Sequence, residues 1–86
     1  MVEKLVGKIT YFFDMSGTAM IKLTDTLMIG DEIHVVGSSS NFKQKLEILQ
    51  KNDGNISIAK AGEDIAIKVS QPVQEGDSVY KIRDLL

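Results

Sequence analysis

The sequence predicts an all-β fold: a small closed antiparallel β-barrel of six to seven strands, forming one domain over residues 1–86 with its core at about 6–82. Two observations predict it. In several short segments apolar residues recur at every second position, which is the period of a β-strand. Turn-forming residues, chiefly glycine followed by an acidic residue, separate these segments. Short strands entered by similar corners are typical of a small barrel.

Composition narrows the functional classes. The chain has 86 residues, of which 43% are hydrophobic and 26% charged, so one compact core is expected. The absence of cysteine excludes a disulfide scaffold, a thiolate metal site and a cysteine nucleophile. A net charge of −2 is not that of a uniformly basic nucleic-acid binder. Glu3 and Lys4 interrupt the first apolar run, and no stretch approaches the roughly 20 apolar residues of a membrane span, so a cytoplasmic protein is expected.

Alternation within the first predicted strand assigns its two faces. In Lys8–Asp14, the side chains of Ile9, Tyr11 and Phe13 share one face and are expected to point into the core. The other strands are predicted at Ala19–Leu23, Glu32–Gly37, Ile56–Ile58, Asp64–Ser70 and Val79–Ile82.

Three apolar residues fall on the faces opposite the predicted core. They are Phe12, Met20 and Val36. Unless a loop or the tail at residues 84–86 covers them, they would form an exposed apolar patch, which is a signal of a partner site.

The segment Ser40–Gln50 fits two structures. Apolar spacing at i, i+4 and i+7 from Phe42 predicts a helix, whereas period two from Phe42 to Ile48 predicts a strand. The dipeptide Asp53-Gly54 that follows is a hairpin signal, and a further strand comes after it. These neighbours favour the strand.

A short sequence motif occurs three times. It consists of an apolar residue, two further residues, a glycine, and then acidic and apolar residues. The copies are Leu27–Ile33, Val73–Val79 and, more loosely, Ala59–Ile65. We expect the apolar residue to plug the barrel end, the glycine to take a backbone angle that a Cβ resists, and the acid to accept N–H bonds at the start of the next strand. The predicted structural turn residues are Gly30, Asp31, Gly54, Gly62, Gly76 and Asp77.

In this order, four segments carry a resemblance to a known family. They are Val6–Tyr11, Leu27–Gly37, Ala59–Ile67 and Gln74–Tyr80. The chain resembles the second β-barrel domain of translational GTPases such as elongation factor Tu, which implies a non-catalytic binding module that contacts RNA or a translation-linked protein. It is also similar to the C-terminal barrel of collagenase-like peptidases, through Phe42-Lys-Gln44, Asp53-Gly54 and a closing Gly-Asp. That similarity implies, as the alternative, an accessory protein-interaction subunit of a larger enzyme.

No catalytic residue, metal site or cofactor is predicted. The chain lacks a Gly-x-x-x-x-Gly-Lys-[Ser/Thr] loop, so GTP hydrolysis is not expected. His34 is the single histidine and has no second catalytic partner in the sequence. The acidic pairs Asp31-Glu32 and Glu63-Asp64 are adjacent on strands, so their side chains point to opposite faces and cannot act on one bond.

The candidate binding residues lie in the middle of the chain. Lys43 and Lys45 share a face if their segment is a strand, and with Lys51 and Lys68 they could form a local basic patch for phosphates, which Glu47 would dilute. The full set of candidates is His34, Phe42, Lys43, Gln44 and Lys45.

Overall fold

The computed structural model describes residues 2–52 and 54–83, and every regular element within those ranges is a β-strand. In chain order they are β1 (Val2–Phe13), β2 (Thr18–Leu23), β3 (Leu27–Met28), β4 (Glu32–Val36), β5 (Asn41–Lys45), β6 (Leu49–Lys51), β7 (Gly54–Asn55), β8 (Ile58–Ala59), β9 (Asp64–Lys68) and β10 (Ser78–Arg83). The all-β prediction is therefore confirmed, with ten strands in the described ranges instead of six to seven and with β1 longer than the predicted Lys8–Asp14. The tail at residues 84–86 lies outside the described residues.

The strands form one large antiparallel sheet and one small one. The order in the eight-stranded sheet is β5-β4-β10-β1-β2-β9-β6-β7, and β3 pairs with β8 separately. The long strand β1 pairs with β10 along its first half and with β2 along its second. The outermost strands, β5 and β7, are not paired with each other, so the predicted closed barrel is not confirmed.

A side chain closes part of the gap that the backbone leaves open. The Nε2 group of Gln44, on the edge strand β5, donates to the carbonyl of Lys68 at 2.8 Å. The N–H of Ser70 donates to Oε1 of the same amide at 2.7 Å. The Gln44 amide thus makes the donor and acceptor bonds that a neighbouring strand would make, and it ties β5 to the end of β9.

The inward faces of both sheets meet in one hydrophobic core. Its buried members are Val6, Ile9, Ala19, Ile21, Leu23, Leu27, Ile33, Val35, Phe42, Leu46, Leu49, Ala59, Ile65, Ile67, Val69, Val73 and Val79. Medium-sized aliphatic side chains dominate this core, and they come from nearly every strand. An eight-stranded sheet can bury so many residues together only by curling around them.

The segment Ser40–Gln50 is extended, as the hairpin signal favoured, but it contains two strands. Residues 46–48 separate β5 from β6. This break shifts the alternation, so Ile48 is exposed while its neighbour Leu49 is buried. The inward direction that period two predicts for Ile48 is wrong for that reason.

A β-bulge at Thr10 corrects the faces assigned to β1. The pairing with β2 shifts between Ile9 and Tyr11, which inserts one extra residue into β1. Because the side-chain period is two, one extra residue moves every later side chain to the opposite face. Tyr11 and Phe13 are therefore 54% and 47% exposed, and Phe12 packs partly buried against the core.

The three copies of the repeated sequence motif adopt the same turn structure. Gly30, Gly62 and Gly76 have φ of 95°, 90° and 94°. In each turn the acid's N–H donates to the carbonyl three residues earlier, and its carboxylate accepts from the N–H of that same residue. The carboxylate bonds are Met28 N to Asp31 Oδ2 at 2.9 Å, Lys60 N to Glu63 Oε2 at 2.6 Å and Gln74 N to Asp77 Oδ2 at 2.9 Å. The N–H donor precedes the turn, whereas the sequence predicted a donor at the start of the next strand.

Each of these turns is also hydrogen-bonded to a buried residue that is distant in sequence. The N–H of the turn glycine donates to the carbonyl of the buried residue. The N–H of the buried residue donates to the carbonyl of the turn acid. The three partners are Leu46 for the first turn, Leu23 for the second and Ile9 for the third, at 2.8–3.0 Å. The plug residues Leu27, Ala59 and Val73 are all buried, as predicted.

The hairpin between β6 and β7 differs from the sequence prediction at Gly54. Lys51 pairs with Gly54, and Asp53 lies outside the described residues. Asn52 has φ of 52°, a left-handed angle that asparagine tolerates. Gly54 is consequently a strand residue, not a turn residue.

Candidate docking surface

The five candidate binding residues do not form one site. His34 lies on β4, and Lys43 and Lys45 lie exposed on β5. Phe42 is only 7% exposed and belongs to the core, so a ligand approaching from solvent does not reach it. The Gln44 amide is occupied by its two bonds to the end of β9.

Both ring nitrogens of His34 are bonded. Nδ1 lies 2.8 Å from Oε1 of Glu3, and Nε2 lies 2.6 Å from Oδ1 of Asn41. These two bonds, first the one to Asn41 and then the one to Glu3, raise the pKa of His34 above 6.5, while burial and the nearby Lys43 charge oppose them. Both acceptors favour the doubly protonated ring, which ties β1, β4 and β5 together.

The basic patch expected around β5 is only partly assembled. Lys43 pairs across the sheet with His34, and Lys45 pairs with the acidic Glu32. The ammonium group of Lys51 is bonded to Glu63 and that of Lys68 to a backbone carbonyl. Lys43 and Lys45 are thus neighbours on β5, and the other two lysines have partners elsewhere.

Residues 2–52 and 54–83 contain neither a membrane-spanning helix nor a cluster of metal-ligating side chains. No helix in these ranges is long and apolar enough to cross a membrane. No group of three His, Asp or Glu side chains there is placed to hold a metal ion.

One cluster of exposed apolar side chains lies around the small β3–β8 sheet. We call it the isoleucine patch, and it consists of Met28, Ile29, Ile48, Ile56 and Ile58. Met28 and Ile58 are opposite each other in the β3–β8 pair, with their strand neighbours Leu27 and Ala59 buried beneath. Four of the five are between 37% and 45% exposed, and Ile56 is partly buried against the core.

A groove of about 300 Å³ runs through the isoleucine patch. Ile29, Ile48 and Ile56 line it. Polar groups form its edge: Gln50 Nε2 donates to Asn55 Oδ1 at 3.0 Å, and the carboxylate of Glu47 lies beside them. An apolar centre with a polar rim is the usual anatomy of a protein–protein interface.

Sequence reasoning missed this surface, although the repeat carries a signal of it. The two positions before the turn glycine are exposed in all three copies. They hold Gln74 and Glu75 in one copy and Lys60 and Ala61 in another, but Met28 and Ile29 in the first. Large apolar residues at positions that the fold leaves in solvent indicate a use other than folding.

A second apolar surface, which we call the aromatic face, lies at the β1–β2 hairpin. Its members are Tyr11, Phe13, Met15 and Met20. The rings of Tyr11 and Phe13 meet edge to face, with centroids 4.7 Å apart. Met15 at the hairpin tip is 98% exposed. The bulge at Thr10 creates this face, because it turns both rings outward.

The chain is similar in sequence to a known protein. An uncharacterized protease of Methanocaldococcus jannaschii is 30% identical to the chain over 82 residues, which cover 94% of this chain and 20% of that protein. The chain thus spans about a fifth of the length of the curated relative it matches. No protein-family model matches.

Solved structures agree more closely in shape than in sequence. The C-terminal domain of a Geobacillus thermoleovorans protein described as a U32 peptidase superimposes with a TM-score of 0.87, at 22% identity and covering 93% of both chains. Its selenomethionine variant gives 0.83, at 22% identity, covering 88% of this chain and 96% of that one. This chain therefore has the fold of that C-terminal domain. The finding agrees with the resemblance to the collagenase-like peptidase barrel, and the similarity to elongation factor Tu is not shown.

Proposed function

We propose that this chain is a non-catalytic accessory domain that binds the peptidase part of a U32-type peptidase. The observation that carries the proposal is the match, over 93% of both chains, to a domain that occurs at the C-terminus of a U32 peptidase. The 30% identity to a protease about five times as long as the matched segment supports it. In both relatives the equivalent of this chain is one part of a larger protein.

The chemistry of the surface fits binding better than catalysis. The His34 ring is bonded at both nitrogens and forms a structural tie between strands. The acids of the three turns are bonded to backbone N–H groups, so their lone pairs serve the fold. By contrast, two exposed apolar surfaces lack any partner within the described residues, and such surfaces mark interaction sites on small proteins.

RNA binding, which the resemblance to translation factors implies, has less support. Lys43 and Lys45 lie together on β5 and Lys68 lines a groove with Lys45, but Glu47 lines the same groove and Lys45 lies opposite Glu32. With a net charge of −2 the molecule does not attract polyanions over a distance.

Direct binding tests the proposal. The peptidase part of a U32-type peptidase from the same organism, produced without the domain equivalent to this chain, is titrated with the purified chain by calorimetry. Domain interfaces within one protein are modest in size, so we expect a 1:1 complex with a dissociation constant on the order of micromolar. If the two proteins sediment independently at about 100 μM each, the proposed function is wrong.

A further inference from the structure

We infer that the isoleucine patch, and not the aromatic face, is the surface on which the peptidase part sits. The inference rests on the proposed function and adds the location and chemistry of the contact. Two observations carry it: the position of the strand ends in the fold and the composition of the patch.

The isoleucine patch begins beside the point where a preceding domain would attach. Val2 at the start of β1 pairs with Arg83 at the end of β10. Two residues before Arg83, the ammonium of Lys81 lies 3.9 Å from Oδ2 of Asp31. The same carboxylate oxygen accepts the N–H of Met28 at 2.9 Å. The corner of the patch that carries Met28 therefore lies at the end of the fold where β1 starts and β10 ends.

That position matters because the matching domain is C-terminal in the Geobacillus protein. Polypeptide that precedes such a domain enters it at the start of β1. About four-fifths of the Methanocaldococcus protease lies outside the matched segment. A large partner that enters at this point is held at high effective concentration next to the Met28 corner.

The aromatic face lies far from the same point. Tyr11 follows Val2 by nine residues along one continuous strand, which corresponds to roughly 25–30 Å at the usual rise per residue. The molecule is 39 Å along its longest axis, so this separation is most of its length. A domain attached at the start of β1 meets the isoleucine patch before it can reach Tyr11.

The composition of the patch describes the complementary surface. Its five members are aliphatic and uncharged, and the groove among them has room for an apolar side chain. Gln50 and Asn55 offer amide groups at the edge, and Glu47 supplies the only charge that lines the groove. The partner surface is expected to present a protruding leucine, phenylalanine or methionine, with hydrogen-bonding groups and a basic side chain around it.

Matched substitutions on the two surfaces test the inference in the same calorimetric titration. Ile48→Lys and Ile58→Lys place a charge in the patch at positions 44% and 45% exposed. Phe13→Lys does the same on the aromatic face at a position 47% exposed. We expect each isoleucine variant to weaken binding by about tenfold or more, and Phe13→Lys to change it by less than about twofold.

A second measurement avoids substitution altogether. Methyl-labelled isoleucine in the unmodified chain is observed by NMR as the peptidase part is added. The methyl signals of Ile29, Ile48, Ile56 and Ile58 should shift or broaden, and those of the buried Ile21 and Ile65 should change least.

The outcomes separate the two proposals. If the unmodified chain binds but Phe13→Lys abolishes binding while both isoleucine variants retain it, the proposed function stands and the isoleucine patch is the wrong surface. Unshifted patch methyls in a formed complex lead to the same conclusion, even where a lysine variant does not fold. Absence of any complex with the unmodified chain overturns both proposals.

Discussion

Replacing glycines by alanine separates two physical reasons for needing glycine. Gly30, Gly62 and Gly76 have φ between 90° and 95°, and a Cβ added at any of them would meet no atom within 4 Å. The cost of alanine there is therefore conformational only, about 1–2 kcal/mol. Because the three turns share one geometry, we expect the three losses of stability to agree within about 0.5 kcal/mol.

Gly37 needs glycine for the opposite reason. Its φ is not in the left-handed region, but an added Cβ would overlap the carboxyl group of Asp77. Asp77 is 5% exposed, and its carboxylate holds the N–H of Gln74. Alanine at Gly37 must displace this carboxyl, which adds overpacking of about 1–3 kcal/mol to the loss of a charged hydrogen bond worth about 1.5–3 kcal/mol. We expect a total loss of about 2.5–6 kcal/mol.

Urea unfolding followed by far-UV circular dichroism measures all four variants, with the slope m expected to stay constant. The control is a double-mutant cycle: in an Asp77→Ala background the obstacle is gone, so Gly37→Ala should cost less than about 1 kcal/mol. A Gly37→Ala loss smaller than that of Gly76→Ala would refute the steric argument. A spread above about 1 kcal/mol among the three turn glycines would refute the equivalence of the turns.

Three further predictions concern polar contacts. Gln44→Ala should cost about 1–3 kcal/mol and speed hydrogen exchange at the Ser70 amide, because the two bonds from its side chain to the end of β9 are lost. The pKa of Glu63 is lowered, chiefly by the Lys51 ammonium. The stability that Glu63 contributes is therefore present above about pH 4.5 and is lost as pH falls through the lowered pKa. Glu63→Gln should reduce this loss of stability at acid pH. The pKa of His34 is raised by its bonds to Asn41 and Glu3, so the stability that His34 contributes is present below pH 6.5 and is lost as pH rises through the raised pKa. His34→Gln should remove that loss of stability above pH 6.5.

Each of these predictions has a control on the same surface. Gln71→Ala is exposed and should change neither stability nor the Ser70 exchange rate. Asp64→Asn removes an exposed carboxylate 3.7 Å from Lys22 and should change stability at neutral pH by less than about 1 kcal/mol. Glu3→Gln should reduce the pH dependence of His34, and a full dependence in that variant would contradict the proposed tie.

The turns were predictable from sequence because their physics is local. The acid that follows the positive-φ glycine bonds to the N–H of the residue three positions before it. The local pattern of glycine and acid after an apolar residue is therefore enough to predict the turn. The three copies also fold alike because each clasps a buried residue in the same way. Strand positions followed from alternation for similar reasons.

The sequence predictions are wrong where strands that are distant in sequence interact with each other. The bulge at Thr10 depends on how β1 fits β2 on one side and β10 on the other, which the β1 sequence does not encode by its period. The closure by Gln44 depends on the approach of β5 to the end of β9, 24 residues away. Both features change the surface of the protein. The bulge exposes Tyr11 and Phe13, and the amide of Gln44, a residue predicted to bind a ligand, is bonded within the fold.

The repeat also allows the docking surface to be removed without removing the fold. In the third copy Gln74 and Glu75 occupy the exposed positions that Met28 and Ile29 occupy in the first. Met28→Gln with Ile29→Glu therefore copies a sequence that this turn geometry already accepts, and we expect it to cost less than about 1 kcal/mol in urea unfolding. The same double variant should lose binding to the peptidase part by about tenfold or more, because it places a charge at the groove. If binding survives while the turn stays intact, apolar residues at these positions serve something other than docking, and the peptidase part must contact another face.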